Sequence, residues 1–364
     1  MNTTTPRLFI AATRQNEGKT TISLGLASTL QRFYPRIGYI KPVGQRFVNV
    51  AEQKIDEDII LMDRVYGLNC PLADMSPIAV APDFTRQYLE SSNHEMLVRR
   101  IQEAFDRVAW EKQFVLCEGS GHAGVGSVFD LSNARVAKVL GAKVIIVSQG
   151  GIGKPIDEVC VNHALFQREG VEIIGVILNK VLPEKLSHVE KFAGKGFRRQ
   201  GLELLGVLPH QHILTSPTLG LIREELGAES LNPSPQDSNL VEEVVVGAMS
   251  VRQALKSFKK GVLVITPGDR EDIVLAAATT LFGQGTDGLA GILLTDNQRP
   301  SPNVMRVIAA LPFPVLLTKE ESYRVASRVH DLTVKTRPDD TAKILLIRDL
   351  IAQHVNVQKI LESI

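Results

Sequence analysis

Aromatic side chains are scarce in this 364-residue chain, which has one tryptophan, five tyrosines and thirteen phenylalanines. Cysteine is scarcer still: Cys70, Cys117 and Cys160 lie far apart with no C-x-x-C spacing. That argues against a disulfide framework or a thiolate metal cluster, and predicts buried free thiols in a reducing compartment. The formal net charge is only +1, so charge balance offers no surface for nucleic acid or membrane. No apolar run approaches the roughly 18 residues that span a bilayer. The polar stretch Met1–Arg7 leads straight into a strand pattern and does not read as a signal peptide. No segment repeats at a period of roughly 20–50 residues, which excludes a solenoid. These absences predict a cytoplasmic globular protein, and the length predicts about two domains.

What is present is an alternation of strand and helix. Strand patterns fall at 8–12, 37–42, 114–118, 143–148, 173–178 and 204–208, with helical patterns at 19–33, 56–65, 94–110, 133–140, 155–168 and 183–200. Near-continuous apolar strands such as Val144-Ile145-Ile146-Val147 predict a parallel sheet with helices on both faces. The proline-rich 67–88 reads as a long loop, and Asn232–Ser238 as a surface loop. A second, smaller α/β unit follows, with strands at 244–248, 262–266, 290–294 and 315–318 and helices at 250–258, 270–281, 303–311 and 322–327. Two closing helices, 339–354 and 356–364, mix acidic and basic residues and read as packing elements. The expected domains are 1–212 and 213–364, the latter including the closing helices.

The most informative stretch is Thr13-Arg14-Gln15-Asn16-Glu17-Gly18-Lys19-Thr20, between the apolar run Leu8–Ala12 and a helix starting at Lys19. Backbone N–H groups at a helix start point at an anion, and the helix dipole favours negative charge there. Gly18 lets the backbone pass close to a phosphate, Lys19 reaches β/γ-phosphates, and Thr20 offers a hydroxyl to Mg²⁺. The residues expected to surround a nucleotide are Thr13, Arg14, Asn16, Glu17, Gly18, Lys19, Thr20 and Thr21. One position is unusual, since Thr13 stands where a phosphate loop ordinarily begins with glycine.

Supporting residues are expected at the C-terminal ends of the other strands, where ligands bind in open α/β sheets. Lys41, before Pro42-Val43, is either a catalytic cation or a solvated edge charge. Asp56 and Asp58 either hold Mg²⁺ or favour the first turn of a helix, as acids do. Glu118, directly after an apolar strand and before Gly119, is the second candidate for positioning the metal. Asn179 either reads an adenine edge or caps the next helix.

Together these residues resemble the dethiobiotin synthetase-like branch of P-loop ATPases, related to cobyrinic acid a,c-diamide synthases and the MinD/ParA partition ATPases. The likeness rests on Thr13 through Thr20, Lys41-Pro42-Val43, Glu118-Gly119 and Asn179, and covers residues 7–210. It implies a P-loop NTPase fold binding ATP and Mg²⁺, and makes Thr13 ordinary for the branch. Dethiobiotin synthetases carry an acid where this chain has Arg14, whose spacing matches the signature lysine of partition ATPases. Arg14 is then either an added phosphate cation or a surface residue.

The second half resembles the DRTGG domain through Gly247-Ala248-Met249-Ser250 and Thr266-Pro267-Gly268-Asp269-Arg270-Glu271-Asp272. Its Gly268-Asp269-Arg270 turn is open to two readings, a phosphate-bearing effector site or a helix cap. The pairing of the two domains is similar to the N-terminal part of long bacterial phosphate acetyltransferases. No transferase domain is expected before Ile364, so the resemblance carries no acetyltransferase reaction here.

Three functions follow as expectations. The first is an Mg-ATP-binding regulatory module that senses a nucleotide or metabolite. The second is an enzyme that uses ATP to activate a carboxylate or carbamate as an acyl-phosphate, with Lys19, Lys41 and Glu118 as its catalytic set. The third is a partition-type ATPase switch. Expected partners are a nucleotide, a small carboxylate or phosphate-bearing effector, and a second copy of the chain in a homodimer or higher oligomer, with neither nucleic acid nor membrane.

Overall fold

The computed structural model describes residues 1–233, 237–279, 289–332 and 334–364. The chain divides into two compact units, one formed by Met1–His210 with Thr336–Ile364, the other by Gln211–Lys335. The closing helices, grouped with the second domain on sequence, therefore lie in the first unit.

The first unit is built on six parallel strands: β1 (Arg7–Ala12), β2 (Ile37–Ile40), β3 (Phe114–Glu118), β4 (Lys143–Gln149), β5 (Ile173–Val181) and β6 (Leu204–Pro209), in the order β6-β5-β4-β1-β3-β2. β1 and β3 are buried along their whole lengths, as expected of strands covered on both faces. The helices are α1 (Lys19–Leu30), α2 (Glu57–Tyr66), α3 (His94–Ala109), α4 (Asn133–Leu140), α5 (Gly153–Glu169) and α6 (Leu186–Arg199). From β1 the chain moves to the sheet edge at β2, returns to β3, then crosses to β4 on the other side of β1. The C-terminal ends of β1, β3 and β4 thus flank a topological switch point, the place where such sheets bind ligands.

Two short segments depart from the sequence reading. Phe47–Val50 and Gln53–Asp56 form an antiparallel hairpin, and 67–88 is broken by the helices Leu72–Met75 and Phe84–Glu90 and the strand Ile78–Ala79. Of the thiols, Cys117 is buried while Cys70 and Cys160 are half-buried.

The second unit carries β7 (Glu229–Ser230), β8 (Glu243–Val246), β9 (Val262–Pro267), β10 (Gly291–Thr295) and β11 (Val315–Leu317) in the order β7-β11-β10-β9-β8, with only β7 antiparallel. Alternate residues of β9 point to opposite faces. Val262 and Val264 join a core with Ile273, Val304 and Ile308, while Leu263 and Ile265 join one with Leu219, Ile222 and Val325. The helices on these faces are α7 (Leu219–Leu226), α8 (Val251–Ala254), α9 (Glu271–Thr279), α10 (Pro302–Ala309) and α11 (Ser322–His330). The expected helix 270–281 and loop Asn232–Ser238 extend in part outside the described residues, at 280–281 and 234–236.

The closing pair is α12 (Thr341–His354) and α13 (Val357–Glu362). A β-carbon on Gly25 of α1 would lie 2.2 Å from Ile351 Cγ1 of α12, so glycine sets the close approach of these helices. Beyond α12, Asn356 N–H donates to the Leu205 carbonyl at 2.8 Å and Val355 bridges Gly206, tying the segment to β6. Among the described residues, no helix is long and apolar enough to cross a membrane.

Candidate functional site

The loop after β1 is held by its neighbours before any ligand is considered. Thr13 N–H donates to the Val147 carbonyl at 2.9 Å, and its hydroxyl lies 3.0 Å from that of Ser148. Hydroxyl pairing at the strand end thus occupies the place a loop glycine would hold. Asn162 of α5 accepts from Ala123 N–H at 2.8 Å and reaches the Thr13 carbonyl at 3.4 Å, linking this loop to the one after β3. Asn16 is left-handed (φ 63°), and its carbonyl accepts from Lys180 Nζ at 2.7 Å. Gly18 has φ 100° and serves as N-cap of α1. Its hydrogens face Asn179, whose Nδ2 would sit 2.2 Å from a β-carbon there.

Lys19, Thr20 and Glu118 converge. Thr20 Oγ1 donates to Glu118 Oε1 at 2.9 Å, and Tyr39 of β2 donates its hydroxyl to Glu118 Oε2 at 2.8 Å. Both carboxylate oxygens are thereby fixed. Burial raises the Tyr39 pKa well above the ordinary phenol value, and the Glu118 charge adds to it, so Tyr39 is a permanent donor. Lys19 is only 8% exposed, and its Nζ donates to the Gly121 carbonyl at 3.2 Å. Burial lowers its pKa to about 8, with Glu118 opposing. A desolvated ammonium beside helix-start N–H groups is poised to gain from an arriving anion. Thr21 lies half-buried in the same first turn.

Lys41, Asp56 and Asp58 form a separate buried cluster. Lys41 Nζ donates to Asp56 Oδ1 at 3.0 Å and to Asp58 Oδ2. Burial alone would lower the Lys41 pKa, but Asp58 and Asp56 outweigh it and the ammonium is held charged. Burial pushes Asp56 up to about 6 against the pull of Lys41. Asp56 also caps α2 by accepting from Asp58 N–H at 3.0 Å, so the capping alternative for these acids is realised. Lys41 thus engages both acids, leaving Asp56 Oδ2 buried without a hydrogen-bond partner, while the other two residues expected at the metal, Thr20 and Glu118, pair with each other. Among the described residues, no group of three or more His, Cys, Asp and Glu side chains is arranged to hold a metal.

Two more expectations change. Asn179 turns inward, donating from Nδ2 to the Glu17 carbonyl at 2.9 Å and accepting from Lys180 N–H at Oδ1. It braces the phosphate loop, where an adenine edge or a helix cap was expected. Arg14 points outward, 58% exposed, and pairs with Glu158 of α5 at 2.7 Å. In the second unit, Arg270 donates to the Gly247 and Met249 carbonyls, at 3.0 Å each, and to Asp272, so it ties together two loops. Gly268 is required for space, because a β-carbon would lie 1.6 Å from the Gln298 carbonyl oxygen.

Tyr39, Asn133, Ser148, Asn162 and Lys180 were not foreseen. Asn133 accepts from Ser120 N–H at 3.1 Å and donates to the Ser120 and His122 carbonyls at 2.6 Å each, shaping the turn that receives Lys19. Only Tyr39 had a signal, since it shares the strand-face parity of Lys41 two residues on.

A family model described as an AAA domain matches residues 6–218, and one described as a DRTGG domain matches 221–332. The chain is similar to a phosphate acetyltransferase from Nitratidesulfovibrio vulgaris, with 27% identity over 359 residues covering 96% of this chain and 50% of that protein. A phosphate acetyltransferase from Synechocystis is 29% identical over 371 residues, covering 98% of this chain and 51% of the other. The chain thus spans about half the length of the curated relatives it matches. Among solved structures, the MinC:MinD cell division protein complex of Aquifex aeolicus aligns at a TM-score of 0.36 and 15% identity, covering 57% of this chain and 83% of that one. The CBS and DRTGG domains of the Clostridium perfringens pyrophosphatase regulatory region, complexed with diadenosine tetraphosphate, align at a TM-score of 0.29 and 16% identity, covering 48% and 85%. The expected pairing of a P-loop domain with a DRTGG domain is borne out.

Proposed function

The chain belongs to the AAA-domain family, and from that membership we propose that its first unit binds Mg-ATP at residues 13–21 as a nucleotide-sensing regulatory module. The observation that carries the reading is the convergence of buried Lys19 with the Thr20–Glu118–Tyr39 chain at the start of α1. The α1 N-terminus and Lys19 take the β/γ-phosphates. Thr20 and Glu118 would hold Mg²⁺, which would supply charge to neutralise the phosphates. Tyr39 keeps Glu118 oriented toward the metal. Similarity to phosphate acetyltransferases supports a place near acetyl-phosphate and acetyl-CoA metabolism.

Sensing is favoured over acyl-phosphate synthesis because Lys41 is already bound to two carboxylates and has no spare charge for a second substrate. Calorimetry with ATP and Mg²⁺, followed by turnover assays across carboxylates and diamines, tests this. Tight binding without stimulated turnover is expected. Turnover stimulated by one compound would replace the sensor with the enzyme.

A further inference from the structure

Glu17 stands in the middle of the phosphate loop, directly before Gly18, yet a carboxylate is the wrong charge for an anion site. Its residue is only 5% exposed, and Oε2 is buried with no hydrogen-bond partner. The backbone around it is pinned. Asn179 holds the Glu17 carbonyl, and Lys180 holds that of Asn16. The charged groups facing Glu17 are each engaged elsewhere: Lys180 with Asn16, Arg14 with Glu158 of α5, and Lys19 with Gly121. Glu158 adds a second negative charge on the α5 side.

We infer that phosphate binding at this loop is coupled to proton uptake by Glu17. This deepens the nucleotide-binding reading above and rests on it. The reason is the meeting of two anions in a poorly solvated space. A polyphosphate at the start of α1 brings negative charge beside a carboxylate that cannot swing into water, and like charge disfavours ionisation. Solvent supplies the proton, and no other bond forms or breaks. Burial already raises the Glu17 pKa in the free protein, with Lys180 opposing, which acts in the same direction as the incoming phosphate charge. Affinity therefore rises as pH falls, which makes the loop sense acidification together with nucleotide.

The test is ATP titration calorimetry with Mg²⁺ at intervals from pH 5 to pH 8, in buffers of differing ionisation enthalpy. Wild type and Glu17→Gln are compared, and their difference removes the contribution of the nucleotide itself. Relative to Glu17→Gln, wild type is expected to take up a fraction of a proton at the acid end of the series. At pH 8 Glu17→Gln is expected to bind about tenfold tighter than wild type, the equivalent of one pKa unit, and the advantage is expected to shrink as pH falls. Equal affinity and equal proton exchange in the two proteins would overturn the inference while leaving nucleotide binding intact. Absence of ATP binding in both would overturn the nucleotide reading and this one together. Should Glu17→Gln fail to fold, Glu17→Ala takes its place in the same comparison, with the same expected and overturning results.

Discussion

Lys19 shows how a single residue trades stability for a ligand. Burial holds its pKa near 8, below the ordinary 10.5, so the free protein carries a poorly solvated ammonium at neutral pH. The linkage has a definite sign. A depressed lysine pKa contributes stability that is present above the unfolded value of 10.5 and is lost as pH falls through 8. The full difference is on the order of 3 kcal/mol. Lys19→Met is therefore expected to be more stable than wild type at pH 7 in chemical denaturation, and the gap should close between pH 8 and 10. A gap independent of pH would show that the ammonium is not strained. The Thr13–Ser148 hydroxyl pair makes a related point. Thr13 looked like a missing glycine in the sequence, and in the structure it is a fixing point between β1 and β4.

At the scale of elements, the strands of both sheets were legible because each is a short apolar run bounded by loop residues. The hairpin at Phe47–Asp56 was not legible. Its turn, Ala51-Glu52, uses two left-handed residues (φ 44° and 66°) where glycine or asparagine usually signals the bend. The phosphate loop and Glu118 were readable from residue type and spacing. The cap that Asp56 makes on α2 was among the readings offered, but the bracing by Asn179 and the pairing of Lys41 with Asp56 and Asp58 were not, since pairing between distant side chains leaves no local trace. Helix packing adds a sharper test. Gly25→Ala is expected to push α12 off α1, because its β-carbon would fall 2.2 Å from Ile351 Cγ1. Overpacking of this kind costs about 1–3 kcal/mol, measurable as a lowered denaturation midpoint. An unchanged midpoint would mean that the two helices are not closely packed.

At the scale of the molecule, the first unit is discontinuous: residues 336–364 return to it after the second unit. Helical periodicity gave those helices their length and apolar faces but could not say which core they join. That was decided by Gly25 and by the backbone contacts of Val355 and Asn356 with β6. The central claim is that nucleotide meets the chain at the switch point of this unit's sheet. Amide hydrogen exchange across the whole chain, with and without Mg-ATP, tests it most directly. The account predicts new protection concentrated at residues 13–21 and 118–121, and none of it in Lys19→Ala. Protection confined to residues 211–335, or equal protection in the variant, would contradict it.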